Sequence, residues 1–244
     1  MRRLESIAVV FALEAEWAPW RSRHPFHAVS NNEPTVYEGL IGPLRTRVAL
    51  CGVGARRTRQ ILDVLCAGPI DALLAVGLAG ALRDPYVCGD VIVARRAQLA
   101  ASGSFVAGDA RLVEAASRCG AKVVDVLLCA DHVAGRPGPL DEKRRLAAQG
   151  EAVDMESFRI LEEAARRGIP SVAIRVIGDS ADETLPLDFD RAVRADGTVD
   201  LMKLVGQAVR VPSRWPALIA FGFRQRRAVR ALAGFLDRFV ASIE

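Results

Sequence analysis

In the stretch from Glu151 to Glu183, three inward-reaching carboxylates, Asp154, Glu156 and Asp179, are set around one strand, one helix and another strand. A buried carboxyl whose pKa is raised can serve as a general acid or base near neutral pH, and an ionised one accepts hydrogen bonds from paired hydroxyls. From Phe158 to Arg167, the apolar Phe158, Leu161, Ala164 and Ala165 recur at helical spacing, with Arg and Glu on the other face. Gly168 and Pro170 stop that helix. The run from Ser171 to Ile177 then reads as a strand buried on both faces, so Asp179 falls just past its carboxyl end. In open α/β sheets that rim is where ligands bind, and Asp154 and Glu156 occupy the equivalent rim of the preceding segment.

Further candidates stand elsewhere in the chain. Glu14 and Glu16 follow a strand at Ser6 to Phe11 and open a helix, where a carboxylate is already explained by the unpaired N–H groups and the helix dipole. Cys51-Gly52-Val53-Gly54 joins a strand to a helix, and the turn suits an anion site or a plain connection equally. The dinucleotide fingerprint needs a third glycine, and Arg57 stands in its place. Gly77-Leu78-Ala79-Gly80 ends another buried strand with small residues that admit close approach to the backbone. The loop from Asp131 to Leu140, rich in Gly and Pro, either covers a site or simply connects two elements. Five cysteines without C-x-x-C spacing indicate neither a disulfide framework nor zinc, and read as small buried hydrophobes. The three histidines are too scattered to imply a metal site.

These residues need a frame. Strands are expected at Ser6–Phe11, Thr35–Gly39, Arg45–Leu50, Asp71–Val76, Val91–Ala94 and Val123–Cys129, with helices at Ala55–Cys66 and Ala110–Cys119 between them and a loop over Arg95–Asp109. The alternation predicts an α/β fold: a three-layer sandwich with a mixed, mostly parallel central sheet flanked by helices. A chain of 244 residues can bury a substantial core, and residues 1–183 read as the catalytic domain, with 184–244 a basic helical extension packed on it. Helices are expected there from Val199 to Val209 and from Ala217 to Ser242. The absence of a membrane-spanning apolar run, and an amino terminus leading straight into a strand, predict a cytoplasmic protein. From Arg210 onward seven arginines face Asp237 and Glu244, so the tail carries +5 of a net charge of +4 and the body is about neutral.

Taken in order, Ala12-Leu13-Glu14-Ala15-Glu16, Cys51-Gly52-Val53-Gly54, Gly77 to Leu82, Gly89-Asp90-Val91-Ile92-Val93, Val153-Asp154-Met155-Glu156-Ser157 and Arg175 to Asp182 resemble the purine nucleoside phosphorylase and methylthioadenosine nucleosidase superfamily. Asp182 to Pro186, the Asp196-Gly197 turn and Pro212 to Ile219 resemble its hopanoid-associated phosphorylase branch. The resemblance implies cleavage of an N-glycosidic bond in an adenine nucleoside with an apolar, adenosylhopane-like 5′ substituent. A phosphate-independent nucleosidase is the alternative. It assigns Asp179 as the acid that protonates the purine, Glu16 as the carboxylate that orients attacking water, Glu156 as the clamp on the ribose hydroxyls, and Met155 as a packing residue against sugar and base. It adds Asp154, Gly77, Leu78 and Ala79 to the substrate site, and Gly54 with Arg57, or its neighbour Arg56, to a phosphate site. It implies no cofactor and no metal, inorganic phosphate as co-substrate, a small-molecule or lipid-linked nucleoside as partner, and assembly into a homo-oligomer. Leu78 departs from the Ser or Thr common at its position, which weakens the phosphate assignment.

A reading of a different class makes the chain a non-catalytic nucleotide or membrane-surface binding protein, with the tail as its working part. Phe221, Val229, Leu232, Phe235, Leu236, Phe239 and Val240 would then cover the domain or touch lipid, with Arg224, Arg226, Arg227 and Arg230 facing anionic headgroups. Peripheral membrane contact through this helix is also compatible with an enzyme. Nucleic acid is not expected as a partner, because the basic residues lack an interleaved aromatic platform.

Overall fold

Strand β1 (Ser6–Phe11) divides the interior by its alternating side chains. Ile7, Val9 and Phe11 join one apolar cluster with Trp17 and Trp20 of α1 (Glu14–Arg21), Leu112 and Val113 of α3 (Ala110–Arg118), and Phe235, Leu236 and Phe239 of α7 (Trp215–Ser242). Ala8 and Val10 join a second with Ile61, Leu62 and Leu65 of α2 (Thr58–Leu65) and Phe158 and Leu161 of α5 (Ser157–Arg166). Helices therefore cover both faces, which gives the three layers that the alternation predicts. This computed structural model describes residues 4–29, 34–55, 57–134, 141–194 and 197–243.

The remaining strands are β2 (His27–Ala28), β3 (Val36–Ile41), β4 (Leu44–Leu50), β5 (Ala72–Ala81), β6 (Val91–Leu99), β7 (Phe105–Ala107), β8 (Lys122–Cys129), β9 (Ala152–Asp154) and β10 (Ser171–Asp179). β1 pairs in parallel with β4 and β5, β5 with β10, β6 with β8, and β8 with β9. The antiparallel pairings join β2 to β3, β3 to β4, β5 to β9, β6 to β7 and β6 to β10. Because β10 pairs with both β5 and β6, the strands β5, β10, β6, β8 and β9 close into a ring. Alternation along the sequence carries no sign of that closure, which is made by long-range pairing.

Two segments differ from expectation. β5 runs on through Gly77 to Ala81 instead of ending at Val76, since β9 and β10 both pair with that stretch. The expected loop at Arg95–Asp109 contains the rest of β6 and all of β7. Arg95 and Arg96 look like loop residues, yet Ala97 is fully buried and backbone pairing on both sides outweighs their polarity. Of the Asp131–Leu140 loop, residues 135–140 lie outside the described residues, as does Asp196 of the expected turn. After the loop comes α4 (Asp141–Ala147), a short helix that buries Lys143. Among the described residues, no helix is long and apolar enough to cross a membrane.

Candidate active site

Arg175 lies in the middle of β10 with only 1% of its surface exposed, directly across from Gly77 of β5. A guanidinium so deeply placed must be paired, and three carboxylates gather around it. Its Nη2 is 2.7 Å from Asp154 Oδ2, and its Nη1 is 3.6 Å from Glu156 Oε2. Its Nε and Nη2 donate to Ser157 Oγ at 3.1 and 3.0 Å. Glu16 flanks the same point from α1: a Cβ added to Gly77 would lie 2.8 Å from Glu16 Oε1 and would collide with Arg175 Nη1. Glycine at position 77 is what lets the two groups approach across the strand.

Each carboxylate is held by backbone donors from a different element. Glu16 Oε2 accepts the N–H groups of Ala12 (2.9 Å) and Leu13 (3.1 Å), and Oε1 accepts that of Leu78 (2.9 Å). The same side chain thus caps its own helix and reaches the end of β5, so capping and site membership are one arrangement. Glu156 Oε1 accepts the N–H of Gly54 at 2.9 Å. Gly52 (φ +71°) and Gly54 (φ +78°) occupy the left-handed region, and their turn presents that N–H. Asp154 Oδ2 accepts the N–H of Ser157 at 3.1 Å in the first turn of α5.

The charges are unbalanced by design of the cluster: Glu16, Glu156 and Asp154 face one guanidinium. Burial pushes the Glu156 carboxyl up to about 7, with Asp154 and Glu16 adding to the shift while Arg175 and the Gly54 N–H oppose it. Burial also raises Glu16, against the pull of Arg175 and three N–H groups. For Arg175 burial works against the charged form, but Asp154, Glu156 and Glu16 hold its pKa above the ordinary value.

Asp179 ends β10 a short way along the same rim. Its Oδ2 accepts from Lys143 Nζ at 2.5 Å, and the ammonium also donates to the carbonyls of Ser180 (2.6 Å) and Glu183 (3.0 Å). All three ammonium protons therefore have an acceptor, although the side chain is 1% exposed. Burial raises the pKa of Asp179, while the charge and hydrogen bond of Lys143 lower it. Glu183 in turn pairs with Arg224 of α7, and Gln225 Nε2 donates to the Gly178 carbonyl at 2.7 Å.

A family model described as "Phosphorylase superfamily" matches residues 6–210. The chain belongs to the phosphorylase superfamily. Among solved structures, it is similar to the 5′-methylthioadenosine/S-adenosyl homocysteine nucleosidase of Helicobacter pylori, with 17% identity, 98% of this chain and 99% of that chain covered, and a TM-score of 0.73. The futalosine hydrolase of Helicobacter pylori gives 16% identity, 98% of both chains and a TM-score of 0.73. The 5′-methylthioadenosine/S-adenosylhomocysteine nucleosidase of Neisseria meningitidis, in complex with methylthio-immucillin-A, gives 24% identity, 98% of this chain, 100% of that chain and 0.71. At these identities the likeness establishes the fold. No curated protein matches the chain.

On this phosphorylase-superfamily fold, the structure brings Glu16, Gly54, Gly77, Leu78, Asp154 and Glu156 together around Arg175, with Asp179 on the same rim. Leu78 takes part through its backbone N–H, while its side chain packs with the opposite apolar cluster, so loss of a hydroxyl there removes nothing from the hydrogen bond to Glu16. Ala79 is buried with the other cluster. Met155 is half-buried in the turn between β9 and α5. Asp154 Oδ2 is shared between Arg175 and the first turn of α5, while its buried Oδ1 has no hydrogen-bond partner among the described residues. Arg57 stands at the start of α2, with its Nε 3.4 Å from Gln60 Oε1, and Arg56 lies outside the described residues. Burial pushes the Cys51 thiol well up beside Glu156, which disfavours a thiolate.

Sequence reasoning missed Arg175 and Lys143. An arginine inside an otherwise apolar strand is itself a signal, because Arg is almost never fully buried without a partner. Lys143 sits in Asp141-Glu142-Lys143-Arg144-Arg145, where nothing distinguishes it from a solvated helix face.

Proposed function

We propose that this protein hydrolyses the N-glycosidic bond of an adenine nucleoside with an apolar, adenosylhopane-like 5′ substituent, releasing adenine. The carrying observation is the division of charge along the rim: carboxylates in excess around Arg175, and a Lys143–Asp179 pair beyond them. Departure of a purine builds positive charge on the ribose and negative charge on the base. Glu156 accepts the ribose hydroxyls and faces the developing cation, where preorganised charge is most effective. A proton passes from the Lys143 ammonium through the Asp179 carboxyl to the base, and the proton that Glu16 takes from water returns to Lys143 through solvent. Glu16 accepts a proton from the attacking water, whose oxygen forms the new bond as the bond from carbon to the base nitrogen breaks.

Water is favoured over phosphate by the fate of two backbone donors. A phosphate site needs free N–H groups or cations, yet the Gly54 N–H is engaged by Glu156 and the Leu78 N–H by Glu16. An anion approaching either would meet a buried carboxylate. Adenine release from adenosine-type nucleosides in phosphate-free buffer is the test: release at an undiminished rate is expected, and a strict requirement for phosphate would return the phosphorylase reading. The likeness to nucleosidases and a futalosine hydrolase supports the hydrolytic choice, while the lipid-like 5′ group rests on the resemblance of Asp182–Pro186 and Pro212–Ile219. Assembly into a homo-oligomer is part of the same proposal.

A further inference from the structure

Helix α7 is 28 residues long and divides into two halves of different character. From Ala228 onward its large apolar residues are buried against α1, α3 and β10, as an amphipathic helix on a domain should be. Before Ala228, Leu218 and Phe221 are half-buried, with Phe221 against Phe189 (ring centroids 5.7 Å), while another set of large apolar residues points outward. Trp215, Ile219 and Phe223, spaced i, i+4, i+8 and so on one face, are 51%, 61% and 67% exposed. The preceding helix α6 (Leu201–Arg210) repeats the pattern: Met202, Val205 and Val209 are spaced i, i+3, i+7, and all three are exposed. The Trp215 indole N–H donates to the Ala208 carbonyl at 2.9 Å, which ties the start of one stripe to the end of the other.

Six large exposed hydrophobic side chains in one segment are unusual on a folded surface. Their surroundings indicate what covers them. From residue 201 to 230 the chain has seven basic residues and no acidic one, and Arg210, Arg214, Arg226, Arg227 and Arg230 are exposed. We propose that the α6 and α7 stripes form a seat for an anionic lipid bilayer, with the apolar side chains entering the acyl boundary and the arginines meeting headgroup phosphates. Long basic side chains suit that boundary because their stems remain apolar while their heads reach the charge. A second copy of the chain would bring the same uncompensated positive charge against itself, which an anionic surface neutralises. The seat adjoins the reaction rim: Arg224 pairs with Glu183, Gln225 holds the Gly178 carbonyl, and Arg214 Nη1 donates to the Pro186 carbonyl at 3.4 Å.

The test is co-sedimentation of the full chain with phosphatidylcholine vesicles, with and without phosphatidylglycerol. Binding is expected to the anionic vesicles alone and to weaken with added salt. Trp17 and Trp20 are fully buried, so a blue shift of tryptophan emission on binding reports Trp215. Changing Trp215, Ile219 and Phe223 together to Ser should abolish sedimentation, and changing Ile219 and Phe223 alone, with Trp215 kept, should abolish the shift. Arg226→Gln with Arg227→Gln, both exposed, should lower the partition coefficient on the order of tenfold or more. Equal binding to neutral and anionic vesicles, or wild-type partition by the triple variant, would overturn the proposal. So would sedimentation equilibrium in which the triple variant dissociates a dimer that never binds vesicles, since that assigns the stripes to a second copy. Binding is measured without nucleoside, so its failure leaves the hydrolytic reading to its own assay.

Discussion

Arg175, Glu156 and Lys143 each place an ionisable group where water is excluded. Glu156 has a raised pKa in the folded state, so the folded protein binds more protons than the unfolded chain from its ordinary value of 4.5 up to about 7. Stability from this group is therefore present at low pH and falls as pH rises through that window. Glu156→Gln removes the ionisation while leaving Asp154 and Glu16 to balance Arg175. The melting temperature should rise at pH 8 by the equivalent of about 1–3 kcal/mol and hardly change at pH 5, with activity lost; an equal change at both pH values would contradict the linkage. At the base end, Asp179→Asn should lower kcat about 10²- to 10⁴-fold. Lys143→Met should lower kcat for adenosine-type nucleosides more than for a nitrophenyl riboside, whose leaving group needs no proton. Equal losses on both substrates would reduce Lys143 to a structural pairing.

At the scale of elements, the close pairing of β5 with β10 decides the site. Gly77 and Arg175 are register partners, and the missing side chain at Gly77 makes room for the guanidinium and for Glu16. Gly77→Ala should destabilise by about 1–3 kcal/mol through overpacking, and should depress kcat beyond any loss of folded protein. Denaturant unfolding alongside kinetics at a temperature where the variant is folded separates the two effects. Much of this framework was legible beforehand: β1, α3, α5 and α7 lie close to where periodicity puts them. β6 beyond Ala94, and β7, were not, because a strand with exposed arginines exists only once neighbours supply its hydrogen bonds. Helix α4 was equally hidden, since its one buried side chain is a lysine.

Across the whole molecule, α7 links the far end of the chain to the core and to the rim. Phe235, Leu236 and Phe239 fill the cluster built on β1, and Asp237 accepts from the Trp20 indole at 2.9 Å and from Arg23 at 2.6 Å. Leu236 is fully buried, so Leu236→Ala should cost about 2–5 kcal/mol in chemical denaturation. A loss below about 1 kcal/mol would mean that this half of α7 is not part of the cooperative core.

The sequence alone determined the class of fold and the placing of its longer elements, because hydrophobic period and glycine punctuation are local properties. It also carried enough of a family's motifs, in series, to point to nucleoside chemistry. Only the tertiary structure decided what the acidic residues face. Asp154 Oδ2 meets Arg175, the Leu78 N–H donates to Glu16 while its side chain packs among apolar residues, and the Gly54 N–H donates to Glu156. Lys143 meets Asp179 across 36 residues of chain. Such pairings depend on where buried charge can find compensation, and that is settled by packing between distant segments.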